Sequence, residues 1–264
     1  MHCLALISIG CLLQQLQPAV SDSADCWEGA ASGLMLNLGC GRNRREGWVN
    51  VDSDPDSGAD VVLDLERTPW PFPTSSASHV ELAHVLEHLG ADYGVFGRVL
   101  QEIYRVAAPD ALVFISVPHH THPTFAADPT HVRPITALLF PMLSRRQCLD
   151  WIRIGASNTP LALQLGVNFD HQSTRYTYDE AHSRFLVERG LVTEAELEDM
   201  ALTERLSALF PGLISQIDVT LVARKDGEAA AAEEELAGAG GARSHKSFEG
   251  KGNAAGGVHA LPPG

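Results

Sequence analysis

The residues with the clearest chemical pattern are two glycines that follow an apolar segment directly. Leu34–Leu38 runs into the turn Gly39-Cys40-Gly41. Glycines at such a turn let a bound cofactor approach the backbone more closely than a Cβ atom would allow. The next apolar segment ends in Asp52, and an ionised carboxylate at that point can accept hydrogen bonds from both hydroxyls of a ribose. The combination predicts a nucleoside site, although a Gly-x-Gly alone is equally compatible with a structural turn.

The spacing of this pattern differs from that of dinucleotide-binding sites. The third glycine of G-x-G-x-x-G would fall at Arg44. Asp52 also lies much closer to the glycines than the roughly twenty residues typical of dehydrogenases. A pyrophosphate site is therefore disfavoured, which counts against a nicotinamide-dependent oxidoreductase.

Histidines form the second chemical pattern, since seven of the twelve lie between positions 79 and 131. The carboxyl ends of neighbouring parallel strands meet at the ligand crevice of an α/β sheet. His84 follows the fourth predicted strand, and His119 and His120 follow the fifth. We therefore predict these three as candidate general bases, because imidazole titrates near neutral pH.

Three other interpretations of the histidines stay open. In the first, His84, Glu87 and His88 only organise a helix start and the cofactor pocket. In the second, the histidines of the loop after the fifth strand contact substrate or solvent. In the third, the loop binds a divalent ion, for which the candidate ligands are His119, His120, His122, Asp128 and His131. We expect no metal.

The elements that position these residues alternate between short apolar strands and helices. Strands are predicted at Leu34–Leu38, Trp48–Asp52, Asp60–Leu63, Val80–Ala83, Leu112–Val117 and Ile214–Ala223, with a further strand near Trp151–Ile154. Helices are predicted at Tyr93–Val106, Thr136–Cys148, Tyr178–Arg189 and Glu194–Phe210. This alternation is typical of an α/β fold with a doubly wound, mostly parallel sheet.

The predicted folded domain spans residues 31–225. Residues 1–30 are an N-terminal extension or a signal-like segment, because Leu4–Leu13 is apolar but no Lys or Arg precedes Arg42. Residues 226–264 are rich in Gly and Ala and are predicted to be a disordered tail. We expect a cytoplasmic protein without a stable membrane span, and secretory or organellar targeting is the alternative.

The charge of the chain limits the classes of partner. With 33 acidic and 19 basic residues, the formal net charge is -14, which repels nucleic acid and anionic membranes. The five cysteines are scattered and form no C-x-x-C pair, so neither a disulfide framework nor a zinc cluster is indicated. A small molecule, glycan or lipid is the favoured partner, and the oligomeric state stays open.

The segment from Leu34 to Pro118 resembles the class I S-adenosylmethionine-dependent methyltransferases, in particular the branch related to the type 11 methyltransferases. Asp64 ends the third predicted strand and completes the pattern begun by the glycine turn and Asp52. The other matching motifs are the Pro-rich segment Thr68–Pro73, the stretch Ser78–Leu89 with its His-Val-Leu-Glu-His-Leu sequence, and Glu102–Leu112.

The resemblance implies a Rossmann-like sheet of seven strands in the order 3-2-1-4-5-7-6, with S-adenosylmethionine as the cofactor. Gly39, Cys40 and Gly41 would face its methionine part, Asp52 would hold the ribose, and Asp64 with the Leu65 backbone would meet the adenine. Asn37 and His84 complete the implied cofactor pocket. In the same branch, a segment like Asp128–Pro134 lies on the substrate side, where His131 and Arg133 would contact the acceptor and Arg133 would meet an anionic group.

The chain departs from the family pattern in three places. Asn37 stands where most members carry an acid that orders the glycine turn and the cofactor's ammonium group. The link from Gly41 to Trp48 is too short for the usual crossover helix. The Pro-Gly-Gly turn is reduced to Pro109-Asp110-Ala111.

The predicted function is methyl transfer to an unidentified acceptor. The main alternative is an inactive S-adenosylmethionine-binding or regulatory module of the same fold, motivated by Asn37. A nicotinamide-dependent oxidoreductase and a metal-dependent hydrolase are less favoured.

Overall fold

The computed structural model describes residues 33–225. The apolar run Leu4–Leu13 and the predicted tail from Asp226 onward lie outside the described residues. None of the helices within residues 33–225 is long and apolar enough to cross a membrane.

The sheet has seven strands in the order β3-β2-β1-β4-β5-β7-β6. β7 runs antiparallel to both of its neighbours, and the other pairs are parallel. The fold is therefore Rossmann-like, and the predicted strand order is confirmed. The strands are β1 (Leu34–Leu38), β2 (Val49–Asp52), β3 (Val61–Val62), β4 (Ala77–Ala83), β5 (Ala107–Pro118), β6 (Phe169–Tyr178) and β7 (Ile214–Ala223).

Seven α-helices and three short 3-10 helices connect the strands within the described residues. The α-helices are α1 (Tyr93–Val106), α2 (Pro123–Ala127), α3 (Arg145–Ile154), α4 (Leu161–Leu165), α5 (Glu180–Glu188), α6 (Glu194–Glu198) and α7 (Met200–Leu209). The 3-10 helices are Pro55–Ser57, Leu86–His88 and Ala137–Leu143.

Helix α1 has the predicted bounds, because a capping residue precedes it and its apolar residues lie on one face. The Asp92 carboxylate accepts hydrogen bonds from the N–H groups of Gly94 and Val95, which caps the first turn. Val99 and Ile103 lie on the buried face, one helical turn apart. The helix therefore packs this face against the core formed by the central strands.

A buried ion pair on α1 fixes the Pro-rich segment that precedes β4. Glu102 accepts a hydrogen bond from the Trp70 N–H at 2.7 Å, and Arg105 donates to the carbonyl oxygens of Trp70 and Phe72. Burial acts to raise the pKa of Glu102, but the hydrogen bonds from Arg105 and Trp70 outweigh it and bring the pKa below its ordinary value. The segment thus enters β4 in a fixed position.

The second half of the chain differs from the sequence predictions. The strand predicted near Trp151–Ile154 is wrong, because these residues belong to α3, which Ser144 caps. Ile154 is 77% exposed, so its apolar character does not reflect burial in a sheet. Three further bounds differ from the predictions. The predicted helix Thr136–Cys148 is a 3-10 helix followed by α3, and the predicted helix Glu194–Phe210 divides at Asp199 into α6 and α7. Tyr178, predicted to begin a helix, is the last residue of β6.

Strand β6 was not predicted because its residues are mostly polar. It lies at the edge of the sheet and pairs only with β7, so most of its side chains are exposed or half-buried. Edge strands with this exposure lack the apolar alternation that identifies a strand in sequence.

Candidate functional site

A cleft of about 210 Å³ opens at the carboxyl ends of β1, β2 and β4. The strand order reverses between β1 and β4, and ligands of open α/β sheets bind at such switch points. The cleft wall includes five residues that the sequence singled out, namely Gly39, Asp52, Asp64, Leu65 and His84. These placements bring the glycine turn, the two acids and one histidine to the same opening.

Glycine occupies the two positions of the turn for different physical reasons. Both have left-handed backbone angles, with φ of 67° at Gly39 and 50° at Gly41. A Cβ atom on Gly39 would lie 2.4 Å from Cγ2 of Val85, so the close packing of the loop after β4 requires glycine there. A Cβ atom on Gly41 would meet no atom within 4 Å. Packing against Val85 thus explains Gly39, which lines the cleft, whereas Gly41 does not line the cleft but has open space that a ligand could approach.

Asp52 holds the glycine turn through its carboxylate. Its Oδ2 atom accepts a hydrogen bond of 2.7 Å from the Gly41 N–H, and its Oδ1 atom accepts one of 2.9 Å from the Asp54 N–H. Because an ionised carboxylate has about four acceptor sites, both oxygens can still accept hydrogen bonds from a ligand. Asp52 therefore combines a structural contact with a place on the cleft wall.

Another part of the cleft wall is formed by the segment after β3. The Asp64 carboxylate accepts a hydrogen bond from the Glu66 N–H and lies 3.2 Å from Nε of Arg67. The Leu65 carbonyl accepts from the indole N–H of Trp70. Glu66 accepts from the Gly90 N–H at 2.7 Å, which ties this segment to the loop after β4. Two loops that lie far apart in sequence thus form one wall.

Asn37 lies beneath the glycine turn and is 4% exposed. Its Nδ2 atom donates to Oδ1 of Asn50 at 3.0 Å and to the Asn43 carbonyl at 3.1 Å. Asn50 is itself buried, and it also bonds the backbone of Arg45 and the Asp60 carboxylate. The position of Asn37 therefore requires a hydrogen-bond donor, and a carboxylate would face two acceptors.

Arg45 also stabilises the link between β1 and β2. Its guanidinium contacts the buried Glu81 carboxylate and lies 5.1 Å from the ring centre of Trp48. Burial raises the pKa of Glu81, and the ion pair with Arg45 partly offsets this effect. Side-chain contacts thus hold a link that contains no helix.

His84 follows β4 and has a φ of 56°, a left-handed angle that is uncommon for a residue with a side chain. Its Nε2 atom lies 3.0 Å from Oε1 of Gln216, and its Nδ1 atom lies 3.5 Å from Oε1 of Glu87. The Gln216 side chain is oriented by its hydrogen bond to Asp218. The Glu87 carboxylate raises the pKa of His84 above its usual range. With acceptors at both nitrogens, the ring is held in a defined orientation on the cleft wall.

The histidines after β5 lie elsewhere. His119 is fully buried and does not line the cleft, and its Nδ1 atom accepts a hydrogen bond from the Thr121 N–H. Its Nε2 atom has no hydrogen-bond partner among the described residues. Burial lowers the pKa of His119 to about 4. His120 is exposed, and its ring centre lies 4.5 Å from that of His119.

The loop after β5 brings only part of the predicted ligand set together. His122 lies 3.4 Å from Asp179, and its side chain caps α2. The Asp128 carboxylate lies 4.0 Å from Nε2 of His131. Arg133 donates to the Gly90 carbonyl, and its guanidinium lies 4.3 Å from the ring centre of Phe96. The cation predicted for an anionic acceptor is thus engaged in holding the loop after β4.

We expect Asn37→Asp to lower the free energy of unfolding by about 2–4 kcal/mol, because the new carboxylate replaces a buried donor and faces the oxygens of Asn50 and Asn43. Urea unfolding followed by circular dichroism measures the change. Asn43→Asp adds the same charge to the same link at an exposed position and is the matched control. An Asn37→Asp protein as stable as the control would contradict the donor role.

We expect the burial of His119 to make stability depend on pH between about 6.5 and 4. The unfolded chain binds the proton more strongly than the folded chain, so the free energy of unfolding falls as the pH drops through this window. The contribution of this residue is about 2–3 kcal/mol. His119→Asn should remove that part of the slope in urea titrations at pH 7, 6 and 5. His120→Asn is the exposed control, and equal slopes in both variants would refute the prediction.

No protein-family model and no curated protein matches the chain. Among solved structures, it is similar to an S-adenosylmethionine-dependent methyltransferase from Archaeoglobus fulgidus, with 18% identity and a TM-score of 0.43 over 74% of this chain and 87% of that one. A second such methyltransferase, from Mesorhizobium loti, has 17% identity and a TM-score of 0.37 over 73% and 92% of the two chains. A cyclase has 13% identity and a TM-score of 0.41 over 78% and 80%. The fold class itself rests on the strand order and directions described above.

Proposed function

We propose that this chain binds S-adenosylmethionine in the cleft between the glycine turn and His84, and that it transfers the methyl group to an acceptor. The observation that carries the proposal is the position of Asp52. Its carboxylate is anchored to the Gly41 N–H and still faces the cleft at the switch point of the sheet. This is the geometry expected of an acid that holds a ribose.

The cleft residues fit the three parts of this cofactor. Asp52 can accept hydrogen bonds from the ribose hydroxyls, and Gly41 has open space next to its Cα atom. Asp64 and the Leu65 backbone lie on the wall that would meet the adenine. Asn37 stabilises the glycine turn, because its Nδ2 atom donates hydrogen bonds to Oδ1 of Asn50 and to the Asn43 carbonyl. The cofactor's methionine part would therefore contact the turn and not the Asn37 side chain.

In such a transfer, the residues of the chain need only align the reactants, exclude water and remove one proton. The cofactor, when bound, supplies an electrophilic methyl group. The cleft walls align the reactants and exclude water, which lowers the entropic part of the barrier. His84 is the titratable ring on the wall, and Gln216 and Glu87 orient it. We assign to its Nε2 atom the removal of the acceptor's proton, for which Nε2 must first exchange Gln216 for the acceptor.

The acceptor is proposed by class only. A net charge of -14 disfavours a nucleic acid, so a small molecule, a glycan or a lipid is favoured. His119 lies outside the cleft wall, and His120 is exposed, so neither is placed as the base in this proposal. His131 and Arg133 remain on the proposed acceptor side, where Arg133 also fixes the Gly90 loop.

The two rival functions lose part of their motivation. The inactive binding module was suggested by the missing acid at Asn37, but the donor role of that side chain gives the substitution a structural reason. The oxidoreductase would need a phosphate-binding glycine where this chain has Arg44. The Arg44 guanidinium lies 2.6 Å from Asp60 and so contributes to the β1–β2 link instead.

We expect Asp52→Ala to weaken S-adenosylmethionine binding by about 10- to 100-fold, since hydrogen bonds to a charged group contribute about 1.5–3 kcal/mol. Isothermal titration calorimetry with S-adenosylmethionine and with S-adenosylhomocysteine measures the dissociation constants. Asp56→Ala removes an exposed acid from the next turn and is the matched control. Equal affinities for the two variants, with both folded, would exclude Asp52 as the ribose ligand.

We expect His84→Gln to lower kcat by about 10²- to 10⁴-fold on any acceptor that the wild-type chain methylates, because the proton-transfer group is lost. The dissociation constant for S-adenosylmethionine should change little. Transfer from methyl-labelled cofactor into pools of small molecules, glycans and lipids identifies the acceptor and gives the rates. His79→Gln, outside the cleft, is the control. A His84→Gln protein with full turnover would remove this residue from the chemistry.

A further inference from the structure

Glu87 has an unusual environment. It lies in the 3-10 helix Leu86–His88 and is fully buried. Its Oε1 atom has only a long contact of 3.5 Å with Nδ1 of His84, and its Oε2 atom has no hydrogen-bond partner among the described residues. Burying a carboxylate with so few donors costs several kcal/mol. In the methyl-transfer proposal Glu87 only faces Nδ1 of His84, so much of its buried negative charge remains to be compensated.

Two histidines converge on this carboxylate. One ligating atom each from Glu87, His88 and His131 lie within 4.8 Å of one another. Nε2 of His131 is 3.9 Å from Oε1 of Glu87, and the ring centres of the two histidines are 4.6 Å apart. The side chain of His131 is only 9% exposed. The three groups therefore share one small, largely buried space.

Hydrogen bonds outside this trio determine which nitrogen of each ring faces the carboxylate. Nδ1 of His131 lies 2.8 Å from the Phe125 carbonyl, which can only accept, so Nδ1 donates there and Nε2 is the atom left for a metal ion to bind. Thr130 donates its hydroxyl to Asp128 at 2.6 Å and therefore accepts from Nδ1 of His88 at 3.0 Å. Nε2 of His88 is thus the nitrogen left for a metal ion to bind. Metal-binding histidines are oriented by outer hydrogen bonds of this kind.

The backbone also holds the trio in place. The N–H groups of Val132 and Arg133 both donate to the Glu87 carbonyl, at 2.9 and 3.1 Å. This pairing fastens the segment that carries His131 to the helix that carries Glu87 and His88. The ligating atoms thus come from two segments that are already joined.

We propose that Glu87, His88 and His131 bind a divalent transition-metal ion such as Zn²⁺. Two imidazoles and a carboxylate are a ligand set used for zinc and for non-haem iron. With metal–ligand distances of about 2.0–2.2 Å, ligand atoms around zinc lie roughly 3.3 Å apart, so side-chain movements of about 1 Å would close the site. The cation would neutralise the buried Glu87 carboxylate.

The site adjoins the cleft, because His88 also lines the cleft wall. Three protein ligands leave a fourth position of a tetrahedral ion for an outside atom. That position suits an oxygen or nitrogen atom of the methyl acceptor, which the ion would orient and make easier to deprotonate. This last role rests on the proposed function, whereas metal binding itself does not.

The site differs from the set that the sequence suggested. His131 belongs to both, and Asp128 lies at the rim, 4.0 Å from Nε2 of His131. His122 pairs with Asp179 instead. Glu87 and His88 replace the histidines after β5, because the loop folds back onto the segment that follows β4.

Zinc titration of the full chain tests the proposal. The purified protein is stripped with a chelator and titrated with ZnCl₂ by calorimetry without cofactor. Glu87→Gln and His131→Gln should each bind one equivalent less than the wild type, and Co²⁺ should give the visible absorption of a nitrogen- and oxygen-ligated ion in the wild type but not in these two variants. His171→Gln, an exposed histidine on β6, is the control and should bind like the wild type. The chain holds twelve histidines and five cysteines, which can bind zinc elsewhere. The loss of one equivalent in the ligand variants, and not the total zinc bound, therefore identifies this site.

Thermal unfolding supplies a second readout. Zinc should raise the Tm of the wild type and of His171→Gln but not that of Glu87→Gln, because a ligand stabilises only the state that binds it. If Glu87→Gln does not fold, His88→Gln, at a half-buried position, carries the same test. Equal zinc stoichiometry and equal Tm shifts in the wild type and the ligand variants would overturn the site, and Glu87 would then be compensated by His84 and His131 as cations.

The two proposals fail separately. Cofactor binding to the metal-free chain without a specific zinc equivalent would overturn the metal site and leave methyl transfer standing. Zinc binding that depends on Glu87, without any binding of S-adenosylmethionine, would overturn the proposed function and leave the metal site standing.

Discussion

A link without a helix between two adjacent parallel strands is the constraint on which the site depends. β1 and β2 pair in parallel, and only the residues from Gly39 to Trp48 join them. Parallel neighbours are usually joined by a crossover of a dozen or more residues with a helix to cover the sheet. Here hydrogen bonds from polar side chains replace the helix. Asn50 accepts from the Arg45 N–H and from Asn37 on β1, and Asp52 accepts from the Gly41 N–H of the glycine turn. The cleft wall is therefore built on a hydrogen-bond network.

The loop after β4 meets this network from the other side. Val85 packs so closely on Gly39 that no Cβ atom would fit, while His84 adopts a left-handed backbone angle beside it. Residues held at such angles often lie at functional sites, where surrounding contacts compensate for the strain. Glu87 continues the same loop and brings a buried negative charge close to the cleft. One short segment thus connects the proposed cofactor cleft, the candidate base and the proposed metal site.

Sequence alone predicted β1, α1 and β7 with the observed bounds, because these elements follow the apolar periodicity that burial imposes. It failed at α3, where Ile152 and Ile154 are apolar but exposed, and at β6, whose edge position leaves polar residues in a strand. Asp52, the last residue of β2, and His84, which follows β4, could be placed at the cleft from their positions at the carboxyl ends of strands. The meeting of Glu87 with His131 could not, since it depends on how a loop folds back. Asn37 looked like a lost acid, and only its contacts with Asn50 show that a donor is needed.

The central claim is that the carboxylate which anchors the glycine turn also holds the cofactor's ribose. A crystal structure of the full chain with S-adenosylhomocysteine tests it most directly. We expect both ribose hydroxyls within hydrogen-bond distance of the Asp52 carboxylate, the adenine beside Asp64 and Leu65, and the sulfur atom on the side of His84. A ligand bound elsewhere, or a ribose without contact to Asp52, would contradict it.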